Sequence, residues 1–571
     1  MDTYPKANDD KFYDFIDSKY SKYEIPEKKK SLKEICFPKK YELQIPQKFL
    51  AEFINPKTPY TGVLIYHKIG GGKTCVAVNI AEGFKKNKNI IIVLPASLKG
   101  NFRSELRTPC AKNNYLTEQE RLTLKKHSPS DQIYKDIIKK SNEHINKYYT
   151  IYSYNKFINL VQQNKIKLKN TLLIIDEIHN MISETGTYYE NIYDLIMKAP
   201  NDLRLVLMTA TPIFDKPIEL ALTINLLNRK NQMPTGQAFY DTFLDAKQTK
   251  RGIIYETKNI DLFKSYIKGY ISYYKGAPSH VFPETKIHLV KCEMGERQYQ
   301  LYRKVIAKEA KNNKLNMFNI SNSFFIGTRM ISNIMYPNEK INEDGYNSLT
   351  ERNLDINNID KYSPKFFKIL KKIKSCRGTI FVYSNFKEYG GIKPFVRLLE
   401  HHGYKNYEGY NAGRKRFAIW SGDQTLDYKE EIKAVFNKKD NEDGSKIKII
   451  IGSSSIKEGV SLLRVQQVHI IEPYWNWSRM DQIMGRAIRY CSHKDVDPEK
   501  RLVNVYIYLS VHPKLKISID EKIMQIAIQK KKISLSFEKA MKESAIDCEL
   551  FYNANHDGNE DYQCDASINR S

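Results

Sequence analysis

The sequence predicts an α/β protein of two parallel-sheet lobes with a helical insertion between them, and three observations carry that prediction. Its 571 residues exceed what one hydrophobic core usually supports, so two or more domains are expected. Short β-branched runs each lead into a turn and a helix-like stretch, the pattern of parallel α/β construction. The runs also fall into two groups. Gly62 to Tyr66, Ile90 to Leu94, Tyr149 to Tyr152, Leu172 to Ile175 and Leu205 to Thr209 form the first; Thr379 to Tyr383, Lys446 to Ile451, Val468 to Ile471 and Val503 to Leu509 form the second.

Boundaries follow from composition. Residues 1–40 read as a charged, helical lead-in, 41–230 as the first lobe and 361–545 as the second. Between the lobes, 231–360 carries helical periodicity and ends in the Asn- and Asp-rich stretch Asn342 to Asp360, which reads as a linker. Residues 546–571 read as a polar tail, and no repeat of solenoid period is present.

Apolar residues make up 41% and aromatics 12%, enough for burial to offset chain entropy. Lys and Arg number 92 against 65 Asp and Glu, a formal charge of +27 that favours a polyanion, nucleic acid first. Solvated lysine-rich faces would give the same balance, so charge alone decides nothing. Cys36, Cys75, Cys110, Cys292, Cys376, Cys491, Cys548 and Cys564 are scattered without a CxxC pair, so reduced thiols in an intracellular compartment are expected. The first residues lack the apolar core of a signal peptide, and the longest apolar runs are strand-sized, which excludes membrane insertion.

After the first strand run comes His67-Lys68-Ile69-Gly70-Gly71-Gly72-Lys73-Thr74, followed by the helix-like Cys75-Val76-Ala77-Val78. Strand, glycine loop and helix are what a triphosphate cradle requires. Small residues let backbone N–H groups wrap phosphates, the helix N-terminus adds a positive dipole end, Lys73 can reach the β and γ phosphates, and Thr74 can hold Mg²⁺. His67 stands where the strict pattern has its first Gly.

The buried-strand run Leu172 to Ile175 ends in Asp176-Glu177-Ile178-His179. A carboxylate at the carboxyl end of a neighbouring strand can complete the Mg²⁺ shell, here Asp176, and the next, Glu177, can orient the attacking water. Thr209-Ala210-Thr211-Pro212 ends another strand, and its two hydroxyls can bond those carboxylates and change partners when the site closes. In the second group a small-residue loop, Gly452 to Ser455 and Glu458 to Leu462, precedes Gln482-Ile483-Met484-Gly485-Arg486-Ala487-Ile488-Arg489. Arg486 and Arg489, three apart, are expected on one helix face, where a guanidinium can stabilise charge on a phosphoryl group held by the other lobe.

In this order the motifs resemble the superfamily 2 helicases of the Swi/Snf-like, DExH type, with RecA-like lobes. The resemblance is closest to the helicase-like ATPases of large cytoplasmic DNA viruses, which include poxvirus nucleoside triphosphatase I, the small subunit of the poxvirus early transcription factor and mimivirus-group homologues. It runs from about residue 40 to about 540, and the stretch from Gly485-Arg486-Ala487-Ile488-Arg489 through Ser492-His493 to Val503-Asn504-Val505 is its most specific part.

The resemblance implies adenine contact for Gln47, catalysis with Gln482 beside the two arginines, and coupling of ATP to the next motif for His179. It also implies nucleic-acid-facing or coupling roles for Thr209, Ala210 and Thr211, for Tyr152 and Ser153, for Ser384, and for Ser454, Glu458 and Gly459. ATP and Mg²⁺ are the implied cofactors, and a DNA or RNA backbone is the implied partner, beside a viral RNA polymerase or another transcription factor subunit. A viral factory in the cytoplasm, or the virion, is the implied location. Trp475 and Trp477 could stack bases, but packing against the arginine segment is an equally good account, and they are left out of the site.

Three functions stay open: an ATPase translocating on or remodelling nucleic acid in viral transcription, a strand-separating RNA helicase, and a non-enzymatic promoter- or polymerase-binding subunit. Lys73, Asp176, Glu177 and Arg486 argue against the third.

Overall fold

The computed structural model describes residues 4–27, 30–68, 70–129, 131–184, 186–249, 252–311, 316–456, 460–556 and 562–565. Ile69, Glu458 and Gly459 lie outside the described residues. The chain divides into two compact units, Met1–Pro278 with Lys532–Ser571, and Ser279–Lys531.

The first unit contains β1 (Gly62–His67), β2 (Asn89–Leu94), β3 (Tyr149–Ser153), β4 (Thr171–Ile175), β5 (Arg204–Thr209), the antiparallel hairpin β6 (Leu244–Thr249) with β7 (Gly252–Thr257), and β8 (Ile271–Tyr274). Six of these strands form an all-parallel sheet in the order β3-β2-β4-β5-β1-β8. Every residue of β1 and β4 is buried, as their unbroken apolar runs require in a parallel sheet covered on both faces. Pairing of Tyr66 with Thr209 and of Ile175 with Leu207 brings the carboxyl ends of β1, β5 and β4 side by side.

The second unit holds β9 (Glu284–Glu293), β10 (Thr379–Tyr383), β11 (Lys405–Asn406), β12 (Arg416–Trp420), β13 (Ile449–Gly452), β14 (Val465–Ile470) and β15 (Leu502–Val511). They make a second all-parallel sheet, ordered β11-β12-β13-β10-β14-β15-β9. Its core gathers Ile380, Val382, Ile449, Ile451 and Tyr508 with Phe366, Ile369 and Phe395 from flanking helices. The α/β class with two parallel sheets stands as expected.

Four details of the reading are corrected. The interval 231–360 is not purely helical: it also supplies β6, β7, β8 and β9. β8 is only four residues long and β9 is a largely exposed edge strand rich in charge, so neither shows an apolar strand pattern. Asn342 to Asp360 is not a linker, because Leu349, Leu354 and Ile359 are buried in the second core and Asn342 caps the short helix Glu343–Ser348. The polar tail places Ile546, Leu550 and Phe551 in the first core, with Phe12, Ile16 and Tyr20 from the lead-in helix Phe12–Tyr20.

The thiols, finally, are not all reduced. Cys75 is bonded to Cys110 and Cys548 to Cys564, at sequence separations of 35 and 16 that carry no motif. The first pair meets because the helix Lys73–Phe84 packs on the turn Pro109–Ala111. No helix among the described residues is long and apolar enough to cross a membrane.

Candidate functional site

In the first unit the chain leaves β1 at His67 and enters the helix Lys73–Phe84 through the glycine loop. Gly72 is the helix N-cap with φ 65° and ψ 35°, and Gly70 has φ 84°, so both need the left-handed region that glycine enters without strain. A Cβ on Gly72 would also lie 2.4 Å from Nε2 of Gln47. The amide is held in place there: Gln47 Nε2 donates to the Gly72 carbonyl at 3.3 Å, while its Oε1 accepts from the Gln44 N–H at 2.8 Å. A buried Gln47 is thus built onto the glycine loop. Lys73 Nζ donates to the His67 carbonyl at 3.1 Å, and Thr74 and Lys68 are half-buried beside the loop.

At the end of β4, Asp176 is buried and its Oδ1 accepts from the Glu177 N–H at 2.9 Å. Glu177 has φ 48°, a left-handed conformation that costs a non-glycine residue about 1 kcal/mol and often marks a working site. Tyr154 holds this turn: its hydroxyl lies 2.6 Å from the Asp176 carbonyl and 3.0 Å from that of Glu177.

His179 Nδ1 sits among three oxygens, 2.8 Å from Thr209 Oγ1, 3.3 Å from Glu177 Oε2 and 3.4 Å from Thr211 Oγ1. Burial lowers the imidazole's pKa against the opposing pull of Glu177, so the ring is neutral at pH 7. Thr209 Oγ1 in turn accepts from the Thr211 N–H at 2.9 Å across Ala210. The loop beyond is tied by Glu219, whose carboxylate accepts from the N–H groups of Phe214 at 2.6 Å and of Asp215 and Lys216 at 3.1 Å.

In the second unit Ser384 is buried, and its hydroxyl donates to Glu472 at 2.9 Å. Glu472, at the end of β14, also accepts from Asn333 Nδ2 at 2.9 Å and from the Asn385 N–H. Ser384 therefore anchors its loop from within, and Asn385 is the half-exposed member of the pair. Ser454 is exposed, and Ser453 and Ser455 pair beside it at 3.0 Å.

The expected arginine helix is corrected. The helix Trp477–Met484 ends at Gly485; Arg486 lies in the turn directly beyond it and Arg489 in the irregular segment after that, so they do not share one helix face. Gly485 ends the favourable run, and the Arg486 carbonyl is taken by the Leu462 N–H at 2.8 Å. Arg486 Nε donates to the Gln482 carbonyl at 3.1 Å; Arg489 Nη1 donates to the Val460 carbonyl at 2.8 Å and to Ser461 Oγ at 2.6 Å. Trp475 is buried against Tyr474 and Arg329, and Trp477 is half-buried at the start of the helix.

Strand ends therefore gather Lys73, Asp176, Glu177, His179, Thr209 and Thr211 in one unit, a set able to bind a triphosphate and orient water. Sequence reasoning missed Glu219 and Glu472, and it did not give Tyr154 its place under the acidic turn. Tyr154 directly follows Tyr152 and Ser153 in the sequence, and Glu472 is a carboxylate just past a strand end like Asp176; Glu219 carried no signal.

Comparison with known proteins finds family matches in each of the two units. The family profile described as type III restriction enzyme, res subunit, matches residues 35–214, and that described as helicase conserved C-terminal domain matches residues 365–491. A protein of Acanthamoeba polyphaga mimivirus named as an ATP-dependent RNA helicase is 63% identical over 567 residues, covering 99% of both chains. A termination factor NPH-I homolog of African swine fever virus is 27% identical over 563 residues, covering 85% of this chain and 76% of that one. Among solved structures, the helicase domain of Pyrococcus furiosus Hef is similar at a TM-score of 0.44 and 14% identity, covering 84% of this chain and 97% of that one. The chain belongs to the ATP-dependent helicases of large DNA viruses, and it is a nucleic-acid-dependent ATPase with two parallel-sheet lobes.

Proposed function

We propose that the protein uses ATP hydrolysis to move along or remodel nucleic acid during viral transcription. Side-by-side placement of the β1, β4 and β5 ends, with Thr209 ending β5, Asp176 directly after β4 and Lys73 opening the helix that follows β1, is the observation that carries this reading. Gln47 contacts adenine, and the loop from His67 to Thr74 wraps the phosphates with Lys73 on the β and γ groups. Glu177 orients the attacking water, and His179 passes the state of that carboxylate to Thr209 and Thr211.

The hydroxyl of Thr74 and the carboxylate of Asp176 are hard oxygen donors, a set that fits Mg²⁺. When bound, the ion neutralises charge on the phosphates. Arg486 supplies a guanidinium to the transferring phosphoryl group, and Gln482 and Arg489 set the segment that carries it. Tyr152, Ser153, Ser454, Glu458 and Gly459 belong to loops that hold or couple to the nucleic-acid backbone, with Ser384 anchoring a further one.

The relative named as a termination factor NPH-I homolog supports a place in transcription; contact with a viral RNA polymerase or another transcription factor subunit, and a location in the viral factory or the virion, belong to the same proposal. The test is the ATPase rate without nucleic acid and with single-stranded DNA, duplex DNA and RNA at one salt concentration. Stimulation by RNA alone would favour strand-separating RNA work, and stimulation by none would overturn the reading.

A further inference from the structure

His67 is the one residue of the phosphate loop whose side chain has no place in the strict glycine pattern, and its surroundings give it one. The ring is fully buried, and Nε2 lies 2.9 Å from Ser272 Oγ on β8. Ser272 donates to Oδ2 of Asp547, which is itself fully buried, and Asp547 Oδ1 accepts from the Tyr273 N–H at 2.9 Å. With Asp547 ionised, its carboxylate only accepts, so the single Ser272 proton is committed to it. Ser272 then accepts from His67, which fixes the proton on Nε2. Burial lowers the His67 pKa to about 3, with Lys73 adding to the effect, and keeps the ring neutral.

The main chain of the same histidine holds Lys73 through its carbonyl at 3.1 Å. A Cβ on Gly71 would lie 3.1 Å from the His67 Cβ and 3.3 Å from the Tyr274 ring, so the loop runs close against these two residues. The segment carrying Asp547 is itself tied down. The Ile546 N–H donates to the Ile271 carbonyl at 2.8 Å, Asn555 bonds the main chain of Tyr273 and Lys275 at 3.1 and 2.7 Å, and Cys548 is bonded to Cys564.

We propose that Asp547 is a positioning residue of the nucleotide site, acting through Ser272 on His67 and so on the loop that presents Lys73. A residue more than four hundred positions downstream of the loop thereby belongs to the ATP site, on the far side of the chain segment that forms the second unit. The inference rests on the reading of Lys73 as a phosphate ligand. A merely structural carboxylate would hold the C-terminal segment without affecting ATP in particular, and that difference is measurable.

The experiment takes the full chain at pH 8, above the value of about 7 to which burial pushes the Asp547 carboxyl. KM for ATP and kcat at saturating nucleic acid are measured with the melting temperature for wild type, Asp547→Ala, Ser272→Ala, His67→Asn and the double variant His67→Asn with Asp547→Ala. Asp547→Ala and Ser272→Ala should each raise KM about tenfold with a smaller change in kcat, the scale of one lost buried hydrogen-bond partner. In the His67→Asn background, Asp547→Ala should add nothing further to KM, because the path is already cut.

Singles that lower the melting temperature but leave KM unchanged, or variants that do not fold at all, would overturn the proposal. So would singles whose effects on KM multiply in the double variant. Lys73→Ala serves as the reference: normal turnover there removes the nucleotide-site reading itself, whereas an inactive Lys73→Ala beside an unchanged Asp547→Ala removes only the role of Asp547.

Discussion

His179 Nδ1 lies 2.8 Å from Thr209 Oγ1, and this contact joins the acidic turn after β4 to the threonine turn after β5. Because Thr209 is fully buried and pairs with the Thr211 N–H, a change at Glu177 has a short polar route to the half-buried Thr211 of the second turn. Thr209→Val keeps the volume and removes the hydroxyl. It should leave basal ATP hydrolysis within about twofold while cutting stimulation by nucleic acid roughly tenfold, the upper range for one hydrogen bond. Unchanged stimulation, measured as the ratio of rates with and without RNA or DNA, would show that coupling bypasses this contact.

Lys73→Ala should abolish hydrolysis and leave the fold intact. Lys73 is half-buried and its Nζ bonds a main-chain carbonyl without a carboxylate partner in that contact, so its loss costs little stability, about 0.5 kcal/mol. Turnover beside the melting curve of the same preparation checks both halves.

ATP binding and catalysis should separate at Arg486. Arg486→Ala is expected to keep most ATP affinity and lose single-turnover hydrolysis by about a thousandfold if it acts as an arginine finger. Arg486→Lys should rescue poorly, since a point charge cannot reproduce the planar guanidinium. Arg489→Ala should differ in kind, because its bonds to Val460 and Ser461 tie a loop within its own unit. Wild-type hydrolysis by Arg486→Ala would return the turn after Met484 to a packing or nucleic-acid role.

Nucleic-acid affinity should fall steeply with salt and show little sequence preference. A net charge of +27 and contacts directed to phosphates make counterion release the main driving force. A plot of log affinity against log salt with no slope would mark the charge as solvated surface.

Acid should destabilise the second unit through His469. It is fully buried, bonded to Tyr508 and Gln467 at 2.8 and 3.0 Å, and burial lowers its pKa to about 3. The unfolded chain takes up a proton below its ordinary value of about 6.5 that the folded chain refuses, so the contribution is complete above that pH. Between there and about pH 3 each unit of pH should remove about 1.4 kcal/mol. Denaturant unfolding at pH 7 and pH 5.5 should show this loss in wild type and a shallower one in His469→Gln.

What the sequence determined by itself was everything encoded locally. Runs such as Leu172 to Ile175 and Thr379 to Tyr383 announced buried parallel strands, and the glycine loop, Asp176-Glu177 and Thr209-Ala210-Thr211 announced a nucleotide site because each sits at the end of such a run. Helix ends were legible less well: Gln482 to Arg489 reads as one helix, yet Gly485 and a long-range bond from Leu462 end it.

Only the tertiary structure decided what depends on partners distant in the chain. Short or charged strands such as β8 and β9 exist because the sheets beside them offer unpaired N–H and C=O groups, not because of their own pattern. Ile546, Leu550 and Phe551 become core, Cys75 meets Cys110, Ser384 turns inward to Glu472 and Asp547 reaches Ser272 for the same reason. A buried polar group must find its hydrogen-bond partner wherever the fold supplies one, and that partner carries no spacing a sequence can display.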